Sequence, residues 1–282
     1  MHGIAPNFKL FRMRLQAGGA AIRYVLDQRG VERMKLAVLS DIHSNLEALQ
    51  ACLAHARQQG AEQFAFTGDL IGYGADPVAC LEIIAGLAQQ GAIVVKGNHD
   101  EAALSGLCET MEFNARESIY WTRTQLGAAE RSFLAELPFS RQREDMYFVH
   151  ACAESPELWT YITGPKQAGR CMKAVQSRFT FSGHVHQPSL YYKLLKGGRG
   201  ARVFYPTPGV SIPLLANRQW LSIVGSVGQP RDGNPAANYV VFDHQYSHLT
   251  YFRVPYDDMG AARKVLAAGL PEHLANRLRR GY

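Results

Sequence analysis

The chain has 282 residues, 47% of them hydrophobic, which is enough for a sizeable core in one large domain or two small ones. No apolar run approaches the ~20 residues of a membrane-spanning helix, which argues against a membrane protein. The five cysteines are scattered without a CxxC pair, a pattern typical of free thiols in a reducing compartment. We therefore predict a cytoplasmic protein.

The net charge of +6 is unevenly distributed along the chain. Residues 1–33 carry a net charge of +4, whereas the remainder carries 24 basic and 22 acidic residues. The nearly neutral body argues against a nucleic-acid partner, which would favour a basic patch on the folded domain. We interpret residues 1–33 as a basic N-terminal extension without a chemical role, with a transit peptide as the alternative. Residues 34–282 then form a single domain.

From Met34 onward, apolar runs alternate with helical patterns. Three predicted strands are the runs KLAVLS (35–40), QFAFTG (63–68) and AIVV (92–95). Ser44, with Glu47 three positions later, predicts a capping box at the start of the first helix. Asp76 before Pro77 predicts the start of the second helix. Three strands alternating with two helices form a βαβαβ unit, which implies a parallel sheet.

The rest of the chain combines helices with short strands. Residues 101–140 have helical segments, and strand patterns return at DMYFVH (145–150) and RFTFSG (178–183). After residue 190, short β segments are broken by Gly and Pro, and two helices follow, from about residue 257 onward. We therefore predict one α/β domain built from two packed sheets with helices outside.

Polar side chains collect at the ends of five predicted strands. The motifs there are Ser40-Asp41-Ile42-His43, Gly68-Asp69, Gly97-Asn98-His99-Asp100, Val149-His150 and Gly183-His184-Val185-His186. Loops at the carboxyl ends of parallel strands sit on a rigid scaffold, so we expect these side chains to meet. A mixture of carboxylate, imidazole and amide ligands suits divalent ions such as Mn²⁺, Fe²⁺ or Zn²⁺. The absence of thiolates argues against a structural zinc site. Seven potential ligands are too many for one ion but suit two.

Each motif also has an ordinary structural explanation. Asp41 or Asp69 alone could cap a helix, and His150 alone could be a hydrogen-bonded histidine at a strand end. His184 and His186 could be surface histidines in a turn. In the segment 97–100, the carboxylate of Asp100 could cap the next helix. The metal-centre interpretation depends on all five motifs occurring together in one order.

The series DIH, GDL, GNHD, VH and GHVH, with GSVGQPRDG at 225–233, resembles the calcineurin-like metallophosphoesterase superfamily, nearest to its small bacterial stand-alone phosphoesterases. The resemblance covers Met34 to about Tyr256. It implies an α/β fold, a four-layer αββα sandwich of two mixed β-sheets flanked by helices. It also implies two divalent metal ions as cofactors, with Mn²⁺ or Fe²⁺ preferred and Zn²⁺, Ni²⁺ or Co²⁺ as alternatives.

The resemblance also implies roles for the motif residues. Asp69 would bridge the two ions. The ligands of one ion would be Asp41, His43 and His186, and those of the other would be Asn98, His150 and His184. His99 would meet the phosphate and protonate the leaving group. Asp100 would orient His99 through its other ring nitrogen.

The loop after the GD motif separates this chain from two groups of relatives. Serine/threonine protein phosphatases and symmetrical dinucleoside-tetraphosphate hydrolases carry Asp-Arg-Gly there, whereas GDLIGYG places Gly72, Tyr73 and Gly74 at these positions. The missing arginine argues against both activities. Tyr73 is a candidate substrate-binding residue, with packing on the sheet as the alternative. Arg231 is a candidate phosphate-binding residue, with an exposed turn arginine as the alternative.

The predicted function is dinuclear metal-dependent hydrolysis of a phosphomonoester or phosphodiester bond by metal-activated hydroxide, with a small phosphoester as substrate. A metal-dependent nuclease of the same superfamily is one alternative, and it would need a basic groove with stacking aromatics. A non-catalytic binding scaffold on this fold is the other, and it would have lost ligands. The sequence leaves the natural substrate and the oligomeric state open.

Overall fold

The computed structural model describes residues 35–198 and 200–282. The predicted N-terminal extension, residues 1–33, lies outside the described residues. Within the described ranges, no helix is both long and apolar enough to cross a membrane. This part of the chain forms two six-stranded mixed sheets with helices packed on their outer faces.

Strands and helices alternate through the first half of the described chain, and strands dominate the second half. The strands are β1 (Lys35–Leu39), β2 (Gln63–Phe66), β3 (Ile93–Val94), β4 (Ser140–Arg143), β5 (Met146–Val149), β6 (Phe179–Ser182), β7 (Ser189–Leu194), β8 (Arg202–Phe204), β9 (Ser211–Pro213), β10 (Arg218–Ile223), β11 (Ala237–Asp243) and β12 (His248–Val254). The helices are α1 (Leu46–Gln58), α2 (Pro77–Gln89), α3 (Asn98–Ser105), α4 (Phe113–Gln125), α5 (Ala128–Glu136), α6 (Pro165–Ala174), α7 (Asp258–Ala267) and α8 (Glu272–Arg280). The order confirms the predicted βαβαβ unit.

Each sheet combines parallel and antiparallel neighbours. The first sheet has the order β3-β2-β1-β11-β12-β9, and the second has the order β4-β5-β6-β10-β7-β8. Strands β1, β2 and β3 run parallel to one another, and so do β5, β6 and β10. The carboxyl ends of the parallel strands therefore lie at one edge of each sheet.

Strand β1 shows how the layers form. Leu36 and Val38 face the second sheet and share a hydrophobic core with Phe148 of that sheet. Ala37 and Leu39 point the other way and share a core with residues of α1 and α2. Successive side chains of a strand point to opposite faces, so a strand covered on both faces is apolar throughout. Since α6 covers the outer face of the second sheet, the fold is the predicted four-layer αββα sandwich.

Helix α1 does not begin with the predicted capping box at Ser44. Its N-cap is Asn45, whose side chain accepts a hydrogen bond from the Ala48 amide at 3.1 Å. Ser44 has a φ of 53°, and its amide donates to the Leu70 carbonyl at 3.1 Å. The cap moves by one residue because Ser44 is part of a turn that is bound to the loop after β2.

Candidate metal centre

Five loops meet at the carboxyl ends of the parallel strands. Those after β1 and β2 are joined by a hydrogen bond from the Asp41 amide to the Gly68 carbonyl, at 3.0 Å. The loops after β5 and β6 are joined from the Gly183 amide to the His150 carbonyl, at 2.9 Å. The two sheets are linked where the His184 amide lies 3.1 Å from a carboxylate oxygen of Asp41. The fold therefore brings the motifs of both sheets to one place.

Five of the predicted ligands have a backbone conformation that is rare for residues other than glycine. The φ angles are 52° for Asp41, 49° for His43, 51° for Asp69, 68° for His184 and 62° for His186. Such conformations cost free energy and concentrate at functional sites. Glycine permits the close approach of the loops, because a Cβ on Gly97 would overlap the backbone nitrogen of Asp69.

The first ligand group surrounds the Asp41 carboxylate. The Nε2 atom of His186 lies 3.3 Å from Asp41 Oδ1 and 3.2 Å from the Nε2 atom of His43. The Nδ1 atoms lie 3.2 Å (His43) and 2.6 Å (His186) from the carbonyl oxygens of Ile71 and Gln229. A carbonyl only accepts hydrogen bonds, so we assign the ring proton to Nδ1 in both histidines. Two bare Nε2 lone pairs then face each other, an arrangement that a metal cation between them would satisfy.

The second ligand group surrounds His150. Its Nε2 atom lies 3.1 Å from both Asn98 Oδ1 and His184 Nδ1. Its Nδ1 atom lies 2.8 Å from the Thr67 carbonyl oxygen, to which it donates. The group therefore directs an amide oxygen and two imidazole nitrogens at one point.

Asp69 lies between the two groups. Its Oδ2 atom is 3.3 Å from the Nε2 atom of His150 and 3.6 Å from that of His43. Its Oδ1 atom accepts a hydrogen bond from the His99 backbone amide at 2.8 Å. One carboxylate oxygen is therefore held by the backbone while the other faces both groups, which is the geometry of a bridging ligand.

Burial controls the protonation of these side chains. It lowers the pKa of His43 and His186 well below the usual value, and lowers the pKa of His184 to about 3. Burial also lowers the pKa of His150, but the Asp69 and Asp41 carboxylates and the Thr67 carbonyl together raise it to about 9. Burial raises the pKa of Asp69, but His150, His99 and His43 together outweigh burial and hold this pKa well below its usual value. Three of the four imidazoles are therefore neutral and keep the lone pairs that bind metal ions.

The predicted contact between Asp100 and His99 is wrong. Asp100 Oδ1 accepts hydrogen bonds from the amides of Leu70 and Ile71, at 2.9 and 3.2 Å. Its Oδ2 atom accepts one from the Gly97 amide at 2.8 Å, as a cap of helix α3 does. Both oxygens are engaged by backbone amides, so Asp100 fixes the loop after β2 to the start of α3. Helix capping, the alternative explanation, is correct for this residue.

His99 is buried beside the first ligand group. Its ring centroid lies 4.8 Å from that of His43 and 4.5 Å from that of Tyr73. Burial lowers the pKa of His99 to about 4. Its Nδ1 atom has no hydrogen-bond partner among the described residues. One of its ring nitrogens lies within 4.8 Å of the ligand atoms of His43 and Asp69, so His99 borders the centre closely.

The two predicted substrate-binding residues contact each other. Arg231 Nη2 donates to the Tyr73 hydroxyl at 3.2 Å, and the guanidinium lies 5.5 Å from the centre of the Tyr73 ring. Tyr73 in turn lies 4.6 Å from the His43 ring, measured between centroids. Tyr73 is buried and packs on a cluster formed by α4, α7 and α8, whereas the alternative explanation predicted packing on the sheet. It also borders the predicted ligands. A role of either residue in substrate binding stays a prediction.

Two further side chains at the site lie outside every motif. Tyr161 stacks on the His184 ring with centroids 3.8 Å apart, and about half of its surface is exposed. Arg277, on α8, donates to Gln229 Oε1 at 3.4 Å. The basic end of α8 is visible in the sequence, but only the fold shows which of its arginines faces the site.

Sequence comparisons agree with this site. The family model of the calcineurin-like phosphoesterase superfamily domain matches residues 34–247. The uncharacterized protein MJ0912 of Methanocaldococcus jannaschii is 33% identical over 254 residues, which cover 86% of this chain and 96% of that protein. The match therefore covers almost the entire length of that relative.

Solved structures give the same result. A metallophosphoesterase from Sphaerobacter thermophilus superimposes with a TM-score of 0.77 at 32% identity, over 89% of this chain and 100% of that one. The hypothetical protein PH1004 from Pyrococcus horikoshii shares the fold, with a TM-score of 0.71 at 18% identity over 88% of this chain and 99% of that one. Fold, motifs and sequence identity agree, and this chain belongs to the calcineurin-like phosphoesterase superfamily.

Proposed function

We propose that this protein hydrolyses small phosphoesters at a centre of two divalent metal ions. Membership of the superfamily supports a metal-dependent phosphoesterase. The observation that carries the two-ion proposal is the Asp69 carboxylate, whose Oδ2 atom faces both ligand groups. With a single bound ion, the buried ligands of the other group would have no metal to coordinate.

The donor set fits ions of the borderline-to-hard type. One group offers a carboxylate and two imidazoles, the other offers an amide oxygen and two imidazoles, and both share Asp69. No thiolate takes part, and this mixture of oxygen and nitrogen suits Mn²⁺ or Fe²⁺, with Zn²⁺, Ni²⁺ and Co²⁺ as alternatives. The two carboxylates neutralise only part of the charge of two ions, so the centre would attract an anionic phosphate.

Two bound ions would supply an acidified water as the nucleophile and stabilise the charge on the phosphoryl oxygens. The residues of the chain prepare the site for this chemistry. The carbonyls of Ile71 and Gln229 fix the tautomers of His43 and His186, which keeps their Nε2 atoms free to ligate. The Thr67 carbonyl holds the Nδ1 proton of His150, so its Nε2 atom is the one that would release a proton when a metal ion binds. Asp100 holds the loop that carries Asp69.

We propose His99 as the proton donor to the leaving-group oxygen. Its ring is held between His43 and Tyr73, and its backbone amide is bound by Asp69. One of its ring nitrogens lies within 4.8 Å of the ligand atoms of His43 and Asp69, where a phosphoester bound at the centre would meet it. A position fixed on three sides suits general acid catalysis, which depends on short and well-aligned contacts.

The other two function classes have less support. A nuclease would use a basic groove, whereas the chain after residue 33 is nearly neutral. A binding scaffold would have no need for strained ligand residues, yet five of the seven have a positive φ. We therefore propose a small phosphoester as the partner. We also propose a cytoplasmic location, in keeping with cysteines that are all free thiols in the described chain.

Metal reconstitution tests the proposed function. Chelator-treated protein is titrated with Mn²⁺, the bound ions are counted by elemental analysis, and p-nitrophenyl phosphate and bis-p-nitrophenyl phosphate are used as substrates. We expect two ions per chain and hydrolysis only of the reconstituted protein. Binding of fewer than two ions, or hydrolysis that does not depend on metal, would contradict the proposal.

A matched control identifies where the ions bind. Glu144, Asp145 and His244 form a further cluster of potential ligands, more exposed than the centre and placed after β4 and β11. The variant His244→Gln removes its imidazole. We expect this variant to keep both ions and full activity, because the buried centre is untouched.

A further inference from the structure

Arg231 and Arg277 form a pair of cations around a neutral side chain. Arg231 Nη2 and Arg277 Nη1 both donate to Oε1 of Gln229, at 2.9 and 3.4 Å. Other arginines, such as Arg170 and Arg253, pair with carboxylates. Within residues 35–198 and 200–282, no carboxylate forms an ion pair with either member of the Gln229-centred pair. Two positive charges therefore converge without a carboxylate at ion-pair distance, and Glu112 acts on Arg277 only from farther away.

The pair is also short of hydrogen-bond acceptors. The Nε atom of each arginine is buried and has no partner among the described residues. A guanidinium has five N–H donors and no acceptor, so only an acceptor from elsewhere can satisfy these groups. Burial lowers the pKa of Arg277, and the neighbouring charge of Arg231 lowers it further. An anion with several oxygens would relieve the repulsion and accept hydrogen bonds from the Nη groups of the pair.

The pair borders the metal centre without belonging to it. The Tyr73 hydroxyl accepts a hydrogen bond from Arg231, and the Tyr73 ring packs against the rings of His43 and His99, at centroid distances of 4.6 and 4.5 Å. The Arg231 amide also donates to the His186 carbonyl at 3.4 Å, which fixes the segment against the ligand loop. The cationic pair therefore borders the metal centre and contacts it through Tyr73 and the His186 carbonyl.

We propose that Arg231 and Arg277 bind a second anionic group of the substrate, so that the substrate is a phosphoester carrying a further phosphate or carboxylate. The inference rests on the proposed function and narrows its substrate class. One phosphoryl group at the ions would leave the arginine pair unneutralised, whereas a second anion beyond it would reach the pair. Guanidinium groups bind phosphate and carboxylate through paired hydrogen bonds, so both chemistries fit.

Anion binding is tested first on the metal-free protein, because the pair does not depend on metal ions. Inorganic phosphate is titrated by calorimetry into the wild type, Arg277→Gln and Arg279→Gln. Arg279→Gln is the matched control, since it removes the same charge from the exposed face of the same helix. We expect Arg277→Gln to weaken phosphate binding about tenfold or more, and the control to leave it unchanged. Equal affinities of the wild type and Arg277→Gln would overturn the proposal.

The substrate class is tested on the Mn²⁺-loaded protein with three phosphomonoesters of similar length. Glycerol 3-phosphate has no second anion, 3-phosphoglycerate adds a carboxylate, and 1,3-propanediol bisphosphate adds a phosphate. We expect a higher kcat/KM for at least one of the last two, and the better one identifies the second group. Arg277→Gln should reduce this preference about tenfold, and Arg279→Gln should retain it.

The outcomes separate the two proposals. A preference for glycerol 3-phosphate in the wild type, or a preference for a second anion that Arg277→Gln retains, would overturn the assignment. If no ester is hydrolysed but the difference in phosphate binding persists, the proposed function fails and the anion site stands. Folding of the variants is checked by circular dichroism. If Arg277→Gln does not fold, Arg277→Lys replaces it; this variant keeps the charge but loses the paired donors, so the preference should fall less, but measurably.

Discussion

The two ligand groups that share Asp69 differ in charge and in how firmly the chain holds them. The group containing Asp41 has a second carboxylate and two histidines whose Nδ1 atoms donate to backbone carbonyls. The other group has the neutral amide of Asn98, and only one of its histidines is anchored in this way. In that group, His184 has only a weak interaction with the Trp159 backbone, and the half-exposed Tyr161 covers its ring.

This difference predicts unequal affinities for metal. An anchored ligand loses little conformational freedom on binding, and a carboxylate neutralises charge that an amide cannot. We therefore expect the ion beside Asp41 to bind first and the ion beside Asn98 to bind second and more weakly. Activity should then follow the filling of the second position.

The largest expected effect comes from Asp69→Asn, which breaks both groups at once. The amide can neither carry the negative charge nor bridge two ions, so we expect both ions to be lost and activity to fall about 10⁴-fold. Asp41→Asn should cost one ion and less activity. Metal content and kcat/KM are measured for both variants. Equal losses in the two would show that Asp69 is not shared.

His99→Ala tests whether the residue beside the first group is a ligand or a proton donor. A proton donor matters most for a poor leaving group, so we expect alkyl phosphoester hydrolysis to fall about 10²-fold or more with both ions retained. Hydrolysis of p-nitrophenyl phosphate should fall much less, because p-nitrophenolate leaves without protonation. Loss of an ion would instead add His99 to the first group. Equal slowing of both esters would indicate stabilisation of the phosphoryl group.

Removing one imidazole from each group tests the predicted difference in metal affinity. We expect His186→Ala to weaken binding of the first ion about a hundredfold, and His184→Ala to weaken binding of the second about tenfold. Calorimetric titration with Mn²⁺ resolves the two steps. The reverse order of effects would show that backbone anchoring does not control affinity here.

The smallest expected effect concerns the ring that covers His184. Tyr161→Ala removes this support, and we expect binding of the second ion to weaken about threefold while the first is unchanged, since a stacked pair is worth only about 0.5–1.5 kcal/mol. Tyr161→Phe keeps the ring and is the control, with affinities equal to those of the wild type. A change at the first ion would place the effect of Tyr161 outside its contact with His184. The measurement is again a calorimetric titration with Mn²⁺.

Much of the fold could be predicted because its central strands are apolar and end in polar motifs. Both features are local, so β1, β2 and β3 and the ligands after them are visible in the sequence. Strand β4 could not be predicted from the sequence, because its residues SRQR have no hydrophobic pattern. It is a strand because its backbone pairs with β5 in a hairpin.

The site could be predicted less completely, because neighbours in sequence need not touch. Asp100 follows His99 directly, yet its carboxylate turns to the loop after β2. Conversely, Arg231 and Arg277 lie far apart in the chain and meet at Gln229. The contact of Arg277 depends on how α8 packs on the rest of the domain, and no local sequence pattern predicts this packing.

The left-handed backbone at five of the ligands has a consequence for evolution. Each such residue costs about 1 kcal/mol or more relative to an unstrained conformation, and glycine would remove most of that cost. Under selection for stability alone, these five positions would drift towards glycine. Glycine at the positions of Asp41, Asp69 or His186 in a homologue would therefore mark a lineage that has given up the reaction while keeping the fold.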